Sequence, residues 1–153
     1  MASAKPEDVT TLVLSAVRKA GVRAVLLSGW GGLAAMPDAD DVFCAEALPH
    51  DWLFPRVTAV VHHGGAGTTG AALIAGVPSV VVPFAADQPF WGARVAELGA
   101  GPVPVARKRL TSKLLADALH TTVNDRHMRA RAAELGCAIR AEDGVAAAVT
   151  HFK

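Results

Sequence analysis

Residues Thr58–Gly70 read TAVVHHGGAGTTG, an apolar run that passes through two histidines into a glycine-rich turn. The apolar run predicts a buried strand, and the two threonines favour the start of a helix. Glycines allow positive φ angles and let a ligand come close to the backbone. A strand-to-helix turn of this kind presents backbone N–H groups at a helix N-terminus, an arrangement that binds phosphate. The stretch therefore predicts an anion site on an α/β fold.

Short apolar runs alternate with helical patterns along the rest of the chain. Residues 49–55 are predicted as a connector with one helical turn. The predicted strands are 22–27, 42–47, 58–61, 79–82 and a short edge strand at 101–105, and the predicted helices are 6–20, 68–75, 88–98, 111–122, 124–139 and 143 to the end. This order predicts a Rossmann-like α/β fold, in which a parallel sheet carries helices on both faces.

Four loops with distinctive sequences follow the predicted strands. They cover residues 28–32, 45–51, 62–69 and 83–88. Ligands of parallel sheets bind at the carboxyl ends of the strands. We therefore expect these loops to converge on one site.

The glycine turn differs from two known phosphate loops. No Gly-Lys-Ser/Thr ends it, so it is not a Walker loop, and its GxGxxG spacing over residues 65–70 is a weak signal by itself. The turn follows the wrong strand for a dinucleotide-binding oxidoreductase and has no acidic ribose partner. His63 could donate to a phosphate oxygen or be an ordinary loop histidine. Asp87 and Gln88 could hold a polyhydroxy ligand, or Asp87 could be a helix N-cap.

Length and composition limit the remaining classes. The 153 residues suffice for one domain, with 52% apolar residues and a net charge of +1, which gives no electrostatic case for nucleic acid or an anionic membrane. The basic run 107–109 is interpreted as a solvated loop. No apolar run is long enough to span a bilayer and no signal peptide is visible. Cys44 and Cys137 lack metal spacing, which predicts buried reduced thiols in a cytoplasmic protein.

Taken together, the runs PHDWLF (49–54), VHHGGAGTTGAAL (61–73) and GVPSVVVPFAADQPFWGARVAELGAGPVPV (76–105) resemble the C-terminal, donor-binding half of GT-B glycosyltransferases. The likeness covers residues 6–119. It is particularly close to the sterol 3-beta-glucosyltransferase group, favoured by SGWGGL (28–33) and PHDWLF, and extends to bacterial enzymes that glycosylate macrolides and glycopeptides.

The resemblance implies a nucleotide sugar as co-substrate, UDP-glucose or a TDP-sugar, with no further cofactor and no metal. The implied contacts fall into three groups: His63, Ala66, Gly67 and Thr68 at the diphosphate, Asp87 and Gln88 at the sugar, and Ser28, Trp30, Ala45, Ala47 and His50 at the nucleoside. The sequence departs from the related plant enzymes at the base, where no tryptophan occurs. Trp52 and Trp91 are expected to pack in the core.

The resemblance also implies metal-independent, inverting transfer of a hexosyl group to a lipophilic or natural-product hydroxyl. The general base would belong to an N-terminal acceptor domain that residues 1–153, a single nucleotide-sugar-binding domain, do not include. We also expect the family's first strand to be missing before residue 6, and we expect the chain not to transfer sugar alone. An exposed sheet edge or groove would follow, with a homodimer through it as a hypothesis. A partner subunit of a split glycosyltransferase and a degenerate remnant are the alternatives.

Overall fold

The computed structural model describes residues 5–29, 40–142 and 144–151 of the chain. Its strands are β1 Ala24–Leu27, β2 Val42–Ala45, β3 Val60–His62 and β4 Ser79–Val81. Its α-helices are α1 Pro6–Ala20, α2 His50–Leu53, α3 Ala66–Ala75, α4 Gln88–Glu97, α5 Ser112–Asn124, α6 Arg126–Ala141 and α7 Gly144–His151. Two 3-10 turns lie at Phe54–Arg56 and Arg107–Arg109.

The helix ends follow from local chemistry. Helix α1 begins at Pro6, whose missing N–H costs nothing in the first turn, and ends before Gly21, which adopts φ 66°. Both ends lie where the sequence predicts them. Thr111 caps α5 by accepting a hydrogen bond from the Leu114 N–H at 3.2 Å, and Asp125 caps α6 in the same way.

The strands form two parallel pairs. Strand β1 pairs with β2, with Ala24 opposite Val42, and β3 pairs with β4, with Val60 opposite Ser79. The expected α/β architecture with parallel strands and helices is confirmed, and the strands lie in two separate pairs. Among the described residues, no strand lies between β1 and β3, so the sheet is divided into two halves.

Three apolar clusters make up the core. Helices α1 and α5 pack on one face of β4, where Val80 is fully buried against Ala16 and Leu119. On the other face, Val81 packs with Val95 of α4 and Ala132 of α6. A further cluster joins β3 to α2 and α3. Helices therefore cover both faces of the β3–β4 pair, as a parallel sheet requires.

The predicted edge strand at 101–105 is wrong. Two isolated backbone bonds hold this part of the chain beside β4: Ser79 N–H donates to the Ala100 carbonyl at 2.9 Å, and Val105 N–H donates to the Val81 carbonyl at 3.0 Å. Pro102 and Pro104 lack the N–H groups that a strand ladder needs, which explains why no strand forms.

The two cysteines differ in exposure. Cys44 is half-buried, but Cys137 lies exposed on α6, so the expectation of two buried thiols is wrong for Cys137. Of the helices in the described ranges, none combines the length and apolar character needed to cross a bilayer.

Candidate functional site

The turn between β3 and α3 is held tightly against the start of α4. Gly64 is buried and adopts φ 90°. A Cβ atom at this position would lie 2.7 Å from Val81 Cγ1 and 3.0 Å from the Gln88 carbonyl oxygen. Only glycine fits both the backbone angle and this close approach. The turn predicted to bind phosphate and the segment predicted to bind a sugar are therefore direct neighbours.

The N-terminus of α3 presents unbonded backbone donors. The first helical hydrogen bond runs from the Thr69 N–H to the Gly65 carbonyl at 2.9 Å, so the N–H groups of Ala66, Gly67 and Thr68 precede the helical ladder. Gly65 is the N-cap and supplies no side-chain bond. These three N–H groups carry the partial positive charge of the helix end, which suits an anion.

His63 lies over this helix end. Its Nε2 is close enough to Gly65 that a Cβ there would be 2.7 Å from it. The His63 side chain is exposed, and its ring centroid lies 6.4 Å from that of Phe84. The structure thus brings His63 together with the three donors that the sequence assigns to the diphosphate.

His62 stabilises the glycine-rich turn through a hydrogen bond. Its Nδ1 accepts a hydrogen bond from the Gly64 N–H at 3.0 Å. Burial, followed by the nearby charges of His63 and His50, lowers the pKa of His62 from 6.5 to about 4. His62 is therefore neutral at pH 7 and can accept this bond. In the described part of the chain, its buried Nε2 has no hydrogen-bond partner.

Two polar side chains, Asp87 and Gln88, are oriented at the start of α4. Gln88 Oε1 accepts hydrogen bonds from the N–H groups of Phe84 and Ala85 at 2.7 and 3.1 Å. Asp87 occupies the N-cap position but makes no side-chain cap bond, and its Oδ2 accepts from Trp91 Nε1 at 2.9 Å. Ala86, which directly precedes Asp87, has an unusual φ of 55°. The loop therefore presents an exposed, oriented Asp87 carboxylate. The side-chain Oε1 of Gln88 accepts its hydrogen bonds from within the loop.

The structure brings together only some of the residues predicted to contact the nucleoside. Ala47, His50, His63 and Thr68 line one cavity. Ser28 and Ala45 lie outside its lining and bond to each other across β1 and β2, with the Ser28 N–H 3.0 Å from the Ala45 carbonyl. His50 stacks on Phe54, with ring centroids 4.5 Å apart. Trp30 lies outside the described residues.

Two site residues escape the sequence analysis. Arg107, interpreted as part of a solvated loop, places its guanidinium 4.4 Å from the Phe84 ring centroid, and its N–H donates to the Pro83 carbonyl. Trp91 is half-buried and orients Asp87 rather than simply filling the core. The four-residue spacing of Asp87 and Trp91 was a usable signal, because side chains at this spacing share one face of a helix.

Trp52 also differs from its expected core position. It is exposed, with the Arg56 guanidinium 4.7 Å from its ring centroid. Among the described residues, no three His, Cys, Asp or Glu side chains are grouped so that they could hold a metal ion.

The match to known proteins agrees with this geometry. Residues 25–149 match the family model described as the C-terminal domain of the erythromycin biosynthesis protein CIII-like family. The chain belongs to this EryCIII-like glycosyltransferase domain family. The resemblance to the C-terminal half of GT-B glycosyltransferases is thereby confirmed.

Individual relatives support this assignment. The chain is 44% identical over 149 residues to sterol 3-beta-glucosyltransferase UGT80A2 of Arabidopsis thaliana, a match covering 97% of the chain and 23% of that enzyme. It is 42% identical over 152 residues to a sterol 3-beta-glucosyltransferase of Aspergillus clavatus, covering 94% of the chain and 11% of that enzyme. The chain therefore spans less than a quarter of these curated relatives.

Two solved structures show the same fold. The spinosyn rhamnosyltransferase SpnG complexed with thymidine diphosphate has a TM-score of 0.75 and 28% identity, and the match covers 91% of this chain and 39% of that one. Glycosyltransferase VinC in complex with dTDP has a TM-score of 0.72 and 26% identity, covering 87% and 35%.

Proposed function

We propose that this chain is the donor-binding domain of a metal-independent, inverting glycosyltransferase. Its donor is a nucleoside diphosphate sugar, with UDP-glucose as the first candidate. Residues 1–153 together form one nucleotide-sugar-binding domain. The observation that carries the proposal is the position of His63 over the free N–H groups of α3, directly beside the Asp87–Gln88 segment.

In this proposal, the diphosphate binds at the N-terminus of α3. The N–H groups of Ala66, Gly67 and Thr68 donate to its oxygens, and His63 adds a fourth donor. When the bond between the anomeric carbon and the diphosphate breaks, negative charge develops on the departing oxygen. Fixed donors stabilise such charge without reorganising, and this is the contribution otherwise made by a metal ion.

The sugar would lie toward α4. Asp87 accepts hydrogen bonds from sugar hydroxyls, and Trp91 holds its carboxylate in place. The side-chain Oε1 of Gln88 already accepts hydrogen bonds from the loop, so the N–H groups of its side-chain amide are the part left for a ligand. Ala47 and His50 line the adjoining cavity, where the nucleoside would bind. We also assign Ser28, Trp30 and Ala45 to the nucleoside site.

The acceptor hydroxyl and its general base would come from a separate acceptor domain. An acceptor oxygen deprotonated there attacks the anomeric carbon from the face opposite the diphosphate, which inverts the configuration. The names of the curated relatives favour glucose as the sugar and a sterol-like acceptor, whereas the solved relatives bind thymidine diphosphate. We expect the chain alone to bind its donor in the cytoplasm without transferring the sugar.

Calorimetric titration with UDP, TDP and UDP-glucose tests the proposal. We expect His63→Ala to weaken binding of all three about tenfold or more, because a bond to a charged group contributes roughly 1.5–3 kcal/mol. Asp87→Ala should weaken only UDP-glucose. His120→Ala and Asp117→Ala, exposed residues on α5, are the matched controls. Equal losses of UDP in His63→Ala and His120→Ala, or no binding by the folded chain, would contradict the proposal.

A further inference from the structure

The imidazole of His63 has few contacts that fix its position. It is exposed, and among the residues that the structure describes no hydrogen bond reaches either of its ring nitrogens. A side chain that becomes ordered only when a ligand arrives costs affinity, because its rotamer freedom is lost on binding. A residue that restricts this imidazole beforehand would therefore strengthen the binding of a diphosphate.

Phe84 is the aromatic side chain beside this imidazole. The centroids of the His63 and Phe84 rings lie 6.4 Å apart, and the ring planes are inclined by 38°. This separation falls within the roughly 4.5–7 Å at which aromatic rings contact each other. The backbone of Phe84 is held in place, because its N–H donates to Gln88 Oε1 at 2.7 Å. The Phe84 ring therefore has a defined place next to His63.

Arg107 contacts the same Phe84 ring. Its Cζ lies 4.4 Å from the ring centroid, inside the limit of about 6 Å for a cation–π contact. The Arg107 N–H donates to the Pro83 carbonyl at 3.3 Å, so the two partners are also joined through neighbouring backbone. Arg107 is half-buried, and within the described ranges it forms no ion pair with a carboxylate. The aromatic ring is therefore the group that its guanidinium contacts.

We propose that Phe84 is a positioning residue for His63 and that Arg107 acts through Phe84. The three planar groups form a chain of contacts that runs from the guanidinium through the phenyl ring to the imidazole over the N-terminus of α3. The phenyl ring limits the rotation of the imidazole, so that His63 is oriented for the diphosphate before the donor binds. This inference rests on the proposed role of His63 at the diphosphate, and it adds two residues to that role.

Side-chain NMR tests the orientation of His63 without any ligand. Three-bond coupling constants should show one dominant χ1 rotamer of His63 in the native chain and averaging among rotamers in Phe84→Ala. Phe84 is 55% exposed, so this variant should keep the fold, and its amide spectrum checks that. Phe84→Tyr retains an aromatic ring and should restore the single rotamer. The same χ1 populations in the native chain and in Phe84→Ala would overturn the proposal.

Calorimetric titration with UDP tests whether Phe84 acts through His63. Phe84→Ala should weaken UDP binding about fivefold, as expected when one more side chain must be ordered on binding. In a His63→Ala background the same substitution should change UDP binding by less than about twofold, because the residue that it positions is gone. A full additional loss in that background would show that Phe84 acts on the ligand or on the fold, and it would overturn the proposal.

A second pair of variants tests the contribution of Arg107. Arg107→Ala should weaken UDP binding about threefold in the native chain, in keeping with the modest strength of a cation–π contact, and should have no effect in Phe84→Ala. Lys108→Ala, at an exposed cation of the same 3-10 turn, is the matched control and should leave UDP binding unchanged. A loss from Arg107→Ala that persists without the Phe84 ring would show that the charge acts on the diphosphate directly, and it would overturn the role assigned to Arg107.

The proposed function and this inference fail in different ways. If His63→Ala leaves UDP binding unchanged, the proposed diphosphate site is wrong, and the positioning role falls with it. If His63→Ala weakens UDP binding but Phe84→Ala does not, the diphosphate site stands and the positioning role of Phe84 alone is wrong. The χ1 measurement adds a result that needs no nucleotide, so a failure of donor binding cannot be mistaken for a failure of positioning.

Discussion

The two strand pairs have the same parallel geometry and very different surroundings. All three residues of β4 are buried, because β3 lies on one side, residues 100–105 on the other and helices on both faces. In β1 none of the four residues is fully buried, since one edge and part of a face border the open cavity between the two strand pairs. The comparison teaches that a strand's sequence alone does not bury it: AVLL is wholly apolar yet less buried than SVV, which begins with a serine, so the neighbouring elements make the difference.

The largest expected effect contrasts a glycine in each half. Gly64→Ala should destabilise the fold by about 4 kcal/mol, since it combines a strained φ with a clash against Val81 and the Gln88 backbone. Gly29→Ala, after β1, should cost only about 1 kcal/mol, because its φ is 40° and none of the described residues lies within 4 Å of a Cβ there. Urea unfolding measures both. Equal costs would show that the turn after β3 is no more tightly packed than the one after β1.

The next effect is a pH dependence confined to the β3–β4 half. The pKa of His62 is about 4 in the folded chain, against 6.5 as the ordinary value. The unfolded chain therefore binds the proton more readily, and stability falls as the pH drops from 6.5 toward 4, by up to about 3 kcal/mol. Thermal unfolding across this range tests it.

The control for this pH effect is His62→Asn. Asparagine retains an acceptor for the Gly64 N–H but does not titrate in this range. Its stability curve should be flatter between pH 6.5 and 4 than that of the native chain. An equally steep loss in the variant would assign the pH dependence to other groups.

A smaller effect concerns the orientation of Asp87. Trp91→Phe removes the Nε1 donor while keeping an aromatic ring of similar size. Because Trp91 holds the Asp87 carboxylate without contacting the sugar, its loss should weaken UDP-glucose binding about fivefold to tenfold, less than the loss of a direct bond to a charged group, and leave UDP unchanged. Trp52→Phe, at an exposed tryptophan on α2, is the matched control. A parallel loss of UDP would mean that Trp91 acts through the fold of the site rather than through Asp87.

The smallest effect lies in the β1–β2 half. Arg18 and Asp41 form an exposed ion pair, with 3.7 Å between Nε and Oδ2. Asp41→Asn should change the unfolding free energy by less than about 1 kcal/mol, as for other surface pairs. The same substitution at Asp117, which pairs with Lys113 on α5, should be just as mild. A large effect at Asp41 alone would show that the first half depends on this pair.

The sequence predicts those features that depend on neighbours in the chain. Helix α1 has its predicted bounds because Pro6 and Gly21 act locally, and Thr111 caps α5 for the same reason. Helix α3 begins at Ala66, two residues before the predicted start, because the turn needs only Gly64 and Gly65.

Other features depend on residues that are distant in the chain, and these could not be predicted. Whether residues 101–105 pair with β4 depends on which of their N–H groups face β4. Pro102 and Pro104 have no N–H to donate, so a regular strand does not form. Arg107 reaches Phe84 only because residues 100–107 return beside β4. The resemblance implies an exposed edge or groove, but the position of the cavity between β1 and β3 depends on the spatial order of the strands, which the order along the chain does not reveal.

The hydrogen bonds that the Phe84 and Ala85 N–H groups donate to Gln88 Oε1 have a consequence for selectivity. They fix the loop beside Asp87, so in the proposed donor complex little conformational entropy is lost when the sugar binds. A preorganised carboxylate cannot follow a hydroxyl that points the other way. Epimers of the preferred sugar should therefore be rejected by an unmade hydrogen bond, and the discrimination should appear in the binding enthalpy.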